Sequence, residues 1–404
     1  MLWPLKKKAY RSYHRVMKTV SAVMPFPQPV LLTGPGSVDK LAENIAVRGL
    51  VHVLLVTDDV LVQLGLVDGL KRSLTHHGVR FTVFADVQPN PTIENVEAGR
   101  ELYRERDCDG IVAFGGGSPM DCAKIIGARV GNPFMSVRMM KGLFKVFLPI
   151  PPLFCVPTTA GTGSETTIAA VITDAQSHAK FAISDLKLMP KIAVLDPALM
   201  VGLPPHMTSS TGMDALTHAV EAYIGVNGNA YTDKKALDAT RLVLANLERA
   251  YADGSDLEAR NEMALASFYG GAAFTRVYVG YVHAIAHNMG GLYGVPHGLA
   301  NAIILPWVLE FCREAAQEKL ADLALIGGLG SPVQGEETLS HAFIDKVKSM
   351  NRNMGIPDHI AELREEDIPL IARRALDEAH PEYPVPRFMT HGECETLVRR
   401  LLPR

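Results

Sequence analysis

Four side chains of types that bind metals occur in the second half of the chain. Asp214 and His218 stand four residues apart in GMDALTHAVEAY, and His283 and His297 stand fourteen apart in VHAIAHNMGGLYGVPHG. A spacing of four places two side chains on one face of a helix, where both lean toward the same point. One carboxylate and three imidazoles from three helical segments form a donor set that suits a divalent transition metal such as Fe(II) or Zn(II). The pattern predicts a metal centre.

Another histidine, His287, lies one helical turn after His283. His283 and His287 repeat the four-residue spacing, and we expect Gly290 and Gly291 to end their helix. Pro296-His297-Gly298 then leads into another apolar helix. His287 stands where it can relay a proton or hold a substrate hydroxyl. Taken singly, each of these residues also fits an ordinary core or capping position, and His287 also fits a packing role.

Composition excludes several classes of partner. The 404 residues are 48% hydrophobic and 21% charged, which is typical of a globular protein with one large domain or two. A net charge of -3 gives no electrostatic case for nucleic acid. The five cysteines are odd in number and form no CxxC pair, so they indicate neither a disulfide framework nor a thiolate zinc site. We therefore expect a reducing cytoplasm.

The amino terminus is basic. The segment from Met1 to Val38 contains six lysines and arginines and no acidic residue. Such a segment resembles an organelle-targeting or membrane-surface sequence. The apolar stretch after the charges is short and interrupted by Lys18 and Pro25, which argues against a signal peptide. We interpret residues 1–29 as a surface extension, with targeting as the alternative. No run reaches the ~20 apolar residues of a membrane helix, so stable membrane insertion is not expected.

The pattern of secondary structure changes near residue 205. Before it, five short apolar runs alternate with helical stretches and are predicted as strands: 51–59, 79–87, 110–117, 153–159 and 191–196. Strands that are apolar throughout and separated by helices indicate a Rossmann-like parallel sheet covered on both faces. After residue 205 the pattern is helical. The sequence predicts an α/β dinucleotide-binding domain over 30–204, an all-α domain over 205–404, and a cleft between them.

Two glycine-rich or hydroxyl-rich loops follow predicted strands. GGGSPMDCAK (115–124) opens a helix, whose free N–H groups favour a phosphate that glycines allow to approach closely. VPTTAGTGSETT (156–167) supplies small and hydroxyl-bearing residues after a second strand. Loops at the carboxyl ends of strands in one sheet mark the crevice where doubly wound folds bind nucleotides. The first loop is not a GxGxxG fingerprint, and a tight turn without a ligand is the alternative.

An acidic residue ends the first predicted strand. Asp58 in VTDD can accept hydrogen bonds from both ribose hydroxyls, and its charge repels a 2′-phosphate, which favours NAD over NADP. The alternative is that Asp58 caps the next helix.

These motifs together resemble the iron-containing (group III) alcohol dehydrogenases over roughly residues 30 to 310. TDD, PNPT, GGGSPMD, PTTAGTGSE, GMDALTHAVE, the His283/His287 pair and GVPHG occur in the order and at the spacing of that family. The resemblance implies a dehydroquinate-synthase-like architecture. It also implies that the iron ligands are Asp214, His218, His283 and His297. Around the dinucleotide it places Asp58, Asn90, Gly115, Gly116, Gly117, Ser118, Pro119, Thr158, Thr159, Thr162, Thr167 and Lys180.

Some segments depart from the family pattern and leave the substrate open. The amino-terminal extension and the connection from Gly131 to Pro152 are longer than usual. Ala169 stands where some members have an Asn that faces the substrate, and YPVPRFMTHGE follows the usual Asn-Pro-Arg pattern only loosely.

The predicted activity is reversible oxidation of a small alcohol to an aldehyde or ketone. The metal acts as a Lewis acid that lowers the pKa of the alcohol, and hydride passes to the nicotinamide. We also expect a homodimer. Rival interpretations are a glycerol-dehydrogenase-like polyol oxidoreductase, a dehydroquinate-synthase-like lyase, a metal-dependent hydrolase of a phosphorylated substrate, and a descendant without catalysis.

Overall fold

The chain divides into two compact units in a computed structural model, which describes residues 2–176 and 179–403. The helical unit comprises Met1–Pro25, Pro204–Gly254 and Leu265–Arg404, and the sheet unit comprises Phe26–Leu203 and Ser255–Ala264. The domain limits given above, 30–204 and 205–404, stay a prediction.

A six-stranded parallel sheet forms the centre of the sheet unit. Its strand order is β1-β9-β6-β4-β2-β3. The strands are β1 (Val30–Thr33), β2 (His52–Val56), β3 (Arg80–Phe84), β4 (Gly110–Gly115), β6 (Leu153–Pro157) and β9 (Ile192–Leu195). The five predicted strands are all present, and the predicted fold class is confirmed. The structure adds β1, a four-residue edge strand.

The sheet is buried on both faces because helices cover each side. Leu54 and Val56 of β2 belong to one hydrophobic cluster, while the alternate residues Val53 and Leu55 belong to another. This alternation is what a strand with two buried faces requires. The helices of the sheet unit are α2 (Ser37–Val47), α3 (Asp59–Gln63), α4 (Asp68–His76), α5 (Ile93–Glu105) and α6 (Gly117–Gly131).

Two local features of the sheet unit differ from the sequence interpretation. The single helical stretch expected after β2 is broken into α3 and α4, because the chain turns at Gly65 with a positive φ of 69°. A second sheet, of order β5-β8-β7, was not predicted. Its strands are β5 (Gly142–Leu143), β7 (Ala169–Asp174) and β8 (Ala179–Ser184).

The helical unit contains no strand among its described residues, as the sequence pattern indicates. Its helices are α1 (Leu2–Val23), α7 (Pro205–Ile224), α8 (Ala230–Ala252), α10 (Tyr281–Tyr293), α11 (His297–Cys312), α12 (Gln317–Ile326), α13 (Gly335–Asn353), α14 (Ile368–Ala379) and α15 (His391–Arg399). The part of α9 (Leu257–Val277) that starts at Leu265 also belongs to this unit. The expectation that Gly290 and Gly291 end α10 is wrong. The helix continues through both to Tyr293, and Gly294 ends it with a left-handed φ of 72°.

The amino-terminal extension is largely a helix, α1, that packs within the helical unit. Arg11 donates to the carbonyl oxygens of Val385 and Pro386 at 2.7 and 2.6 Å, and Nε2 of the buried His14 lies 2.7 Å from that of Pro381. These contacts hold α1 to the segment that follows α14. Within the part of the chain that the structure describes, no helix is both long and apolar enough to cross a membrane.

Candidate metal centre

Three helices bring the four predicted metal-binding side chains together. Asp214 and His218 lie one turn apart on α7, His283 lies on the first turn of α10, and His297 is the first residue of α11. Each offers one ligand atom, and these four atoms all lie within 4.8 Å of one another. The outermost of these residues, Asp214 and His297, are 83 apart in the sequence, and ordinary core packing does not require such distant metal-binding side chains to meet at one point.

The protonation and burial of the cluster suit a divalent metal. Burial, together with the neighbouring imidazoles, holds the pKa of His283 well below its usual value, so this ring is neutral and one of its nitrogens carries a lone pair. Nε2 of His297 and Nε2 of His283 lie 3.6 and 3.9 Å from Oδ1 of Asp214. Three imidazoles and one carboxylate are the donor set that Fe(II) or Zn(II) prefers. The residues present fit a bound iron.

The cluster is open on one side. The side chains of Asp214 and His283 are each 3% exposed, whereas that of His297 is 42% exposed. The ring of His218 stacks on Phe274 at 4.3 Å and on His283 at 4.6 Å, which buries that side of the cluster. Of the four candidate ligands, His297 is therefore the one that a small molecule can reach most readily.

A buried carboxylate that the sequence analysis missed orients one of the imidazoles. Oε2 of Glu221 on α7 lies 2.6 Å from Nδ1 of His283, so Nε2 of that ring is directed at the cluster. The backbone N–H groups of Gly280 and Val282 also donate to Glu221, at 2.8 and 2.7 Å. Burial raises the pKa of Glu221 to about 7, and these N–H groups oppose the rise. Glu221 stands seven residues after Asp214, on the same helix face, and that spacing was a readable signal.

We expect Glu221→Gln to lower metal affinity about 10- to 100-fold, the usual effect of removing a partner of a metal-binding histidine. A glutamine has only one oxygen, so it cannot accept from Gly280, Val282 and His283 together. Competition with a chromogenic chelator measures the affinity. Glu336→Gln, at an exposed carboxylate on α13, is the control. Unchanged affinity in Glu221→Gln would show that the carboxylate only anchors the start of α10.

His287 lies beside the cluster and has a partner of its own. Its ring stacks on that of His297, with centroids 5.3 Å apart, and its Nδ1 lies 2.7 Å from Oε1 of Glu378 on α14. The hydroxyl of Tyr383 donates to the same oxygen at 2.7 Å. Burial raises the pKa of Glu378, but the neighbouring imidazole of His287 and its hydrogen bond outweigh burial and hold that pKa below its usual value. Glu378 is therefore ionised and accepts from Nδ1–H, which leaves the lone pair of His287 on Nε2.

The first predicted nucleotide loop forms a narrow turn between β4 and α6. Gly115 has a φ of 145°, and a Cβ there would lie 2.7 Å from Cγ of Pro119. A Cβ on Gly117 would lie 3.1 Å from Cγ2 of Thr162, in the second loop. The two loops therefore approach each other at the start of α6, where only a residue without a side chain fits and where glycine lets a phosphate come close to the backbone.

An unpaired hydroxyl supports the same fit. Oγ1 of Thr159 is buried and has no hydrogen-bond partner, and it lies 3.5 Å from where a Cβ on Gly116 would be. A buried hydroxyl without a partner is uncommon and points to a ligand that the protein itself does not supply. The loop residues fit the pyrophosphate of a dinucleotide.

Three other predicted nucleotide-binding residues contact one another, and Asp58 lies apart from them at the start of α3. Oδ1 of Asn90 accepts from Lys180 at 2.8 Å, and its backbone N–H donates to Ser118 at 3.3 Å, so these three are together. Oδ1 of Asp58 caps α3 by accepting from Leu61 N–H at 2.9 Å. The capping role is thus real, and it occupies one carboxylate oxygen.

Thr158 and Thr167 are buried within the protein. The hydroxyl of Thr167 accepts from Lys124, a fully buried lysine on α6, at 2.8 Å. Lys124 also donates to Oγ of Ser164 at 2.9 Å, so it fastens the second loop to α6. The sequence analysis missed this lysine, because a lysine inside a helical pattern ordinarily indicates a solvated position.

Comparison with known proteins decides the family. Residues 28–197 match the family described as iron-containing alcohol dehydrogenase, and residues 208–402 match the C-terminal part of the Fe-containing alcohol dehydrogenase family. The chain belongs to the iron-containing alcohol dehydrogenase family. The predicted family is confirmed. The chain is accordingly a metal-dependent, NAD-linked alcohol dehydrogenase, with iron and NAD as its cofactors.

Relatives match almost the whole chain. It is 41% identical over 373 residues to the 1,3-propanediol dehydrogenase of Klebsiella pneumoniae, covering 91% of this chain and 95% of that protein. It is 36% identical to the NAD-dependent methanol dehydrogenase of Bacillus methanolicus, covering 93% and 99%. A crystal structure of a 1,3-propanediol oxidoreductase superposes with a TM-score of 0.90 at 38% identity, covering 94% and 100%.

Proposed function

We propose that this enzyme interconverts a short-chain primary alcohol or diol and its aldehyde at an iron held by Asp214, His218, His283 and His297. The convergence of these four ligand atoms within 4.8 Å is the observation that carries the proposal. When bound, the metal supplies a Lewis acid that lowers the pKa of the alcohol. The relatives named above act on 1,3-propanediol and methanol, and small alcohols of this kind are the substrate class we assign.

The half-buried imidazole of His287 moves the proton of the alcohol. Glu378 holds Nδ1–H of this ring, so Nε2 is the atom that accepts. Tyr383 donates to the same carboxylate and limits its rotation. An oriented carboxylate–imidazole pair of this kind keeps the base in one tautomer, and Glu378 and Tyr383 are positioning residues.

The sheet unit binds the dinucleotide. Gly115, Gly116 and Gly117 let the pyrophosphate reach the start of α6, next to the unpaired hydroxyl of Thr159. Other members of this binding set are Asn90, Ser118, Pro119, Thr158, Thr162, Thr167 and Lys180. The second carboxylate oxygen of Asp58 faces the ribose, which gives NAD preference over NADP.

We expect Asp58→Gly to raise kcat/KM for NADP(H) about ten-fold, as relief of ~1.4 kcal/mol of charge repulsion predicts. Glycine at a helix N-cap costs only a few tenths of a kcal/mol, so α3 survives. Asp58→Ser keeps a capping oxygen and removes the charge, and it should give the same shift. Asp59→Asn, which removes an exposed neighbouring charge, is the control. A parent enzyme that already prefers NADP(H) would contradict the assignment.

The substrate class is tested by initial rates with a panel of alcohols and aldehydes after anaerobic reconstitution with Fe(II). We expect the highest kcat/KM among primary alcohols and diols of one to four carbons. A preference for glycerol or a larger polyol would favour the glycerol-dehydrogenase-like alternative. Loss of NAD-dependent turnover alongside phosphatase activity would favour the hydrolase.

Two further features extend the proposal. All five cysteines are buried and unpaired, in keeping with a reducing cytoplasm. The enzyme acts as a homodimer, which light scattering on the purified protein tests directly.

A further inference from the structure

Asn301 contacts three of the four candidate metal ligands. It lies on α11, one turn after His297, and is completely buried. Its amide nitrogen Nδ2 lies 2.6 Å from Oδ1 of Asp214, 3.1 Å from Nε2 of His297 and 3.3 Å from Nε2 of His283. No role follows for this amide from the activity derived above.

The other end of the same amide has no partner. Oδ1 of Asn301 is buried and accepts no hydrogen bond. A buried carbonyl oxygen left unpaired costs free energy, so a side chain chosen only for packing would not be an amide here. The contacts of Nδ2 are thus the whole polar role of this residue.

The amide and a cation compete for the same electron pairs at two of the three ligands. Glu221 holds Nδ1–H of His283, so the single lone pair of that ring is on Nε2. A lone pair that accepts a hydrogen bond from an N–H group cannot bind a metal at the same time. Nε2 of His297 also faces the Asn301 amide, so its lone pair is subject to the same competition. The oxygen of Asp214 has more than one lone pair and can serve both.

We propose that Asn301 sets the metal affinity of this site through its two amide hydrogens: one is donated to Asp214, and the other is shared between the lone pairs of His283 and His297 that the ion needs. A bound ion would take the lone pairs of His283 and His297, whereas Asp214 would still have a lone pair for the amide. The Asn301 amide would then stabilise the metal-free protein more than the metal-bound protein. Interactions that must be broken on binding weaken binding by the same free energy. This inference rests on the proposed metal role of the four ligands.

The test compares Asn301→Ala with the parent after EDTA treatment and after loading with Zn(II), a probe that does not oxidise. We expect the melting temperature of the EDTA-treated variant to fall more than that of the loaded variant. Zn(II) should bind the variant about ten-fold more tightly in chelator competition, since net hydrogen bonds of ordinary strength are no longer lost on binding. Asn301→Leu keeps a side chain of similar volume but lacks the N–H donor, and we expect it to show the same two effects as Asn301→Ala.

Asn351→Ala is the matched control. Asn351 is also a buried amide whose Nδ2 is bonded, to the carbonyl of Ala302 at 2.7 Å, and whose Oδ1 is unpaired, but it touches none of the four ligands. We expect it to lower both melting temperatures equally and to leave Zn(II) affinity unchanged.

Three outcomes overturn the inference. Equal destabilisation in both states with unchanged affinity would reduce Asn301 to packing. Weaker Zn(II) binding in both Asn301 variants would show that the amide stabilises the metal-bound site instead of competing with the ion. Unchanged Zn(II) binding in His283→Ala would instead remove the proposed metal site itself, and that result is separable because it does not involve Asn301.

Discussion

His283→Ala and His297→Ala are each expected to purify without iron and to lose turnover, by roughly 10³-fold or more in kcat/KM. A Lewis-acid metal stabilises the transition state by several kcal/mol, and each 1.36 kcal/mol is a factor of ten in rate. Both imidazoles lie in the four-atom cluster, so each variant loses one of the four donors and the metal affinity that it contributes. Metal analysis of the purified variants and steady-state rates measure the two effects.

The same variants should bind NADH with nearly parental affinity, measured by fluorescence titration. The candidate nucleotide residues belong to the sheet unit, whereas the four ligands belong to the helical unit. His341→Ala, at an exposed histidine on α13, is the control for loss of a histidine and should keep both metal and turnover. Full metal occupancy in either ligand variant would remove that residue from the coordination set.

His287→Ala is expected to lower kcat for alcohol oxidation by about 10²–10⁴-fold, the range typical of a general base. Its iron content should stay at the parental level, because His287 lies one turn from His283 and outside the four-atom cluster. Rates with saturating alcohol, together with metal analysis of the same preparation, give both quantities.

The partners of His287 provide a graded version of this experiment. Glu378→Gln removes the ionised acceptor of Nδ1–H and should lower kcat less than His287→Ala does. Tyr383→Phe removes one hydrogen bond to that carboxylate and should have the smallest effect. Parental kcat in His287→Ala across pH 6 to 10 would leave this residue with packing alone. Loss of iron would instead move it into the coordination shell.

Local periodicity in the sequence determined a large part of the fold. Strands with two buried faces are apolar throughout, so β2, β4, β6 and β9 could be read without tertiary information. The four metal-binding candidates could be read because a spacing of four fixes a helix face. Glu221 and Asn301 stand on the same faces, at seven and four residues from a candidate ligand, and were readable on the same principle.

Features that depend on long-range packing could not be predicted from the sequence. The apolar helix α10 continues through Gly290 and Gly291 because tertiary burial outweighs the small helix preference of glycine. The docking of α1 depends on carbonyl groups of Val385 and Pro386, more than 370 residues away.

The division between sequence and tertiary structure is clearest at the two histidines of α10. The sequence alone assigned His283 to a metal and His287 to a position one turn beyond it. Only the tertiary structure paired His287 with Glu378, 91 residues away, and so fixed which nitrogen carries the lone pair. Spacing encodes the direction of a side chain along its own helix. The partner it meets depends on which helix packs opposite, and no local period records that.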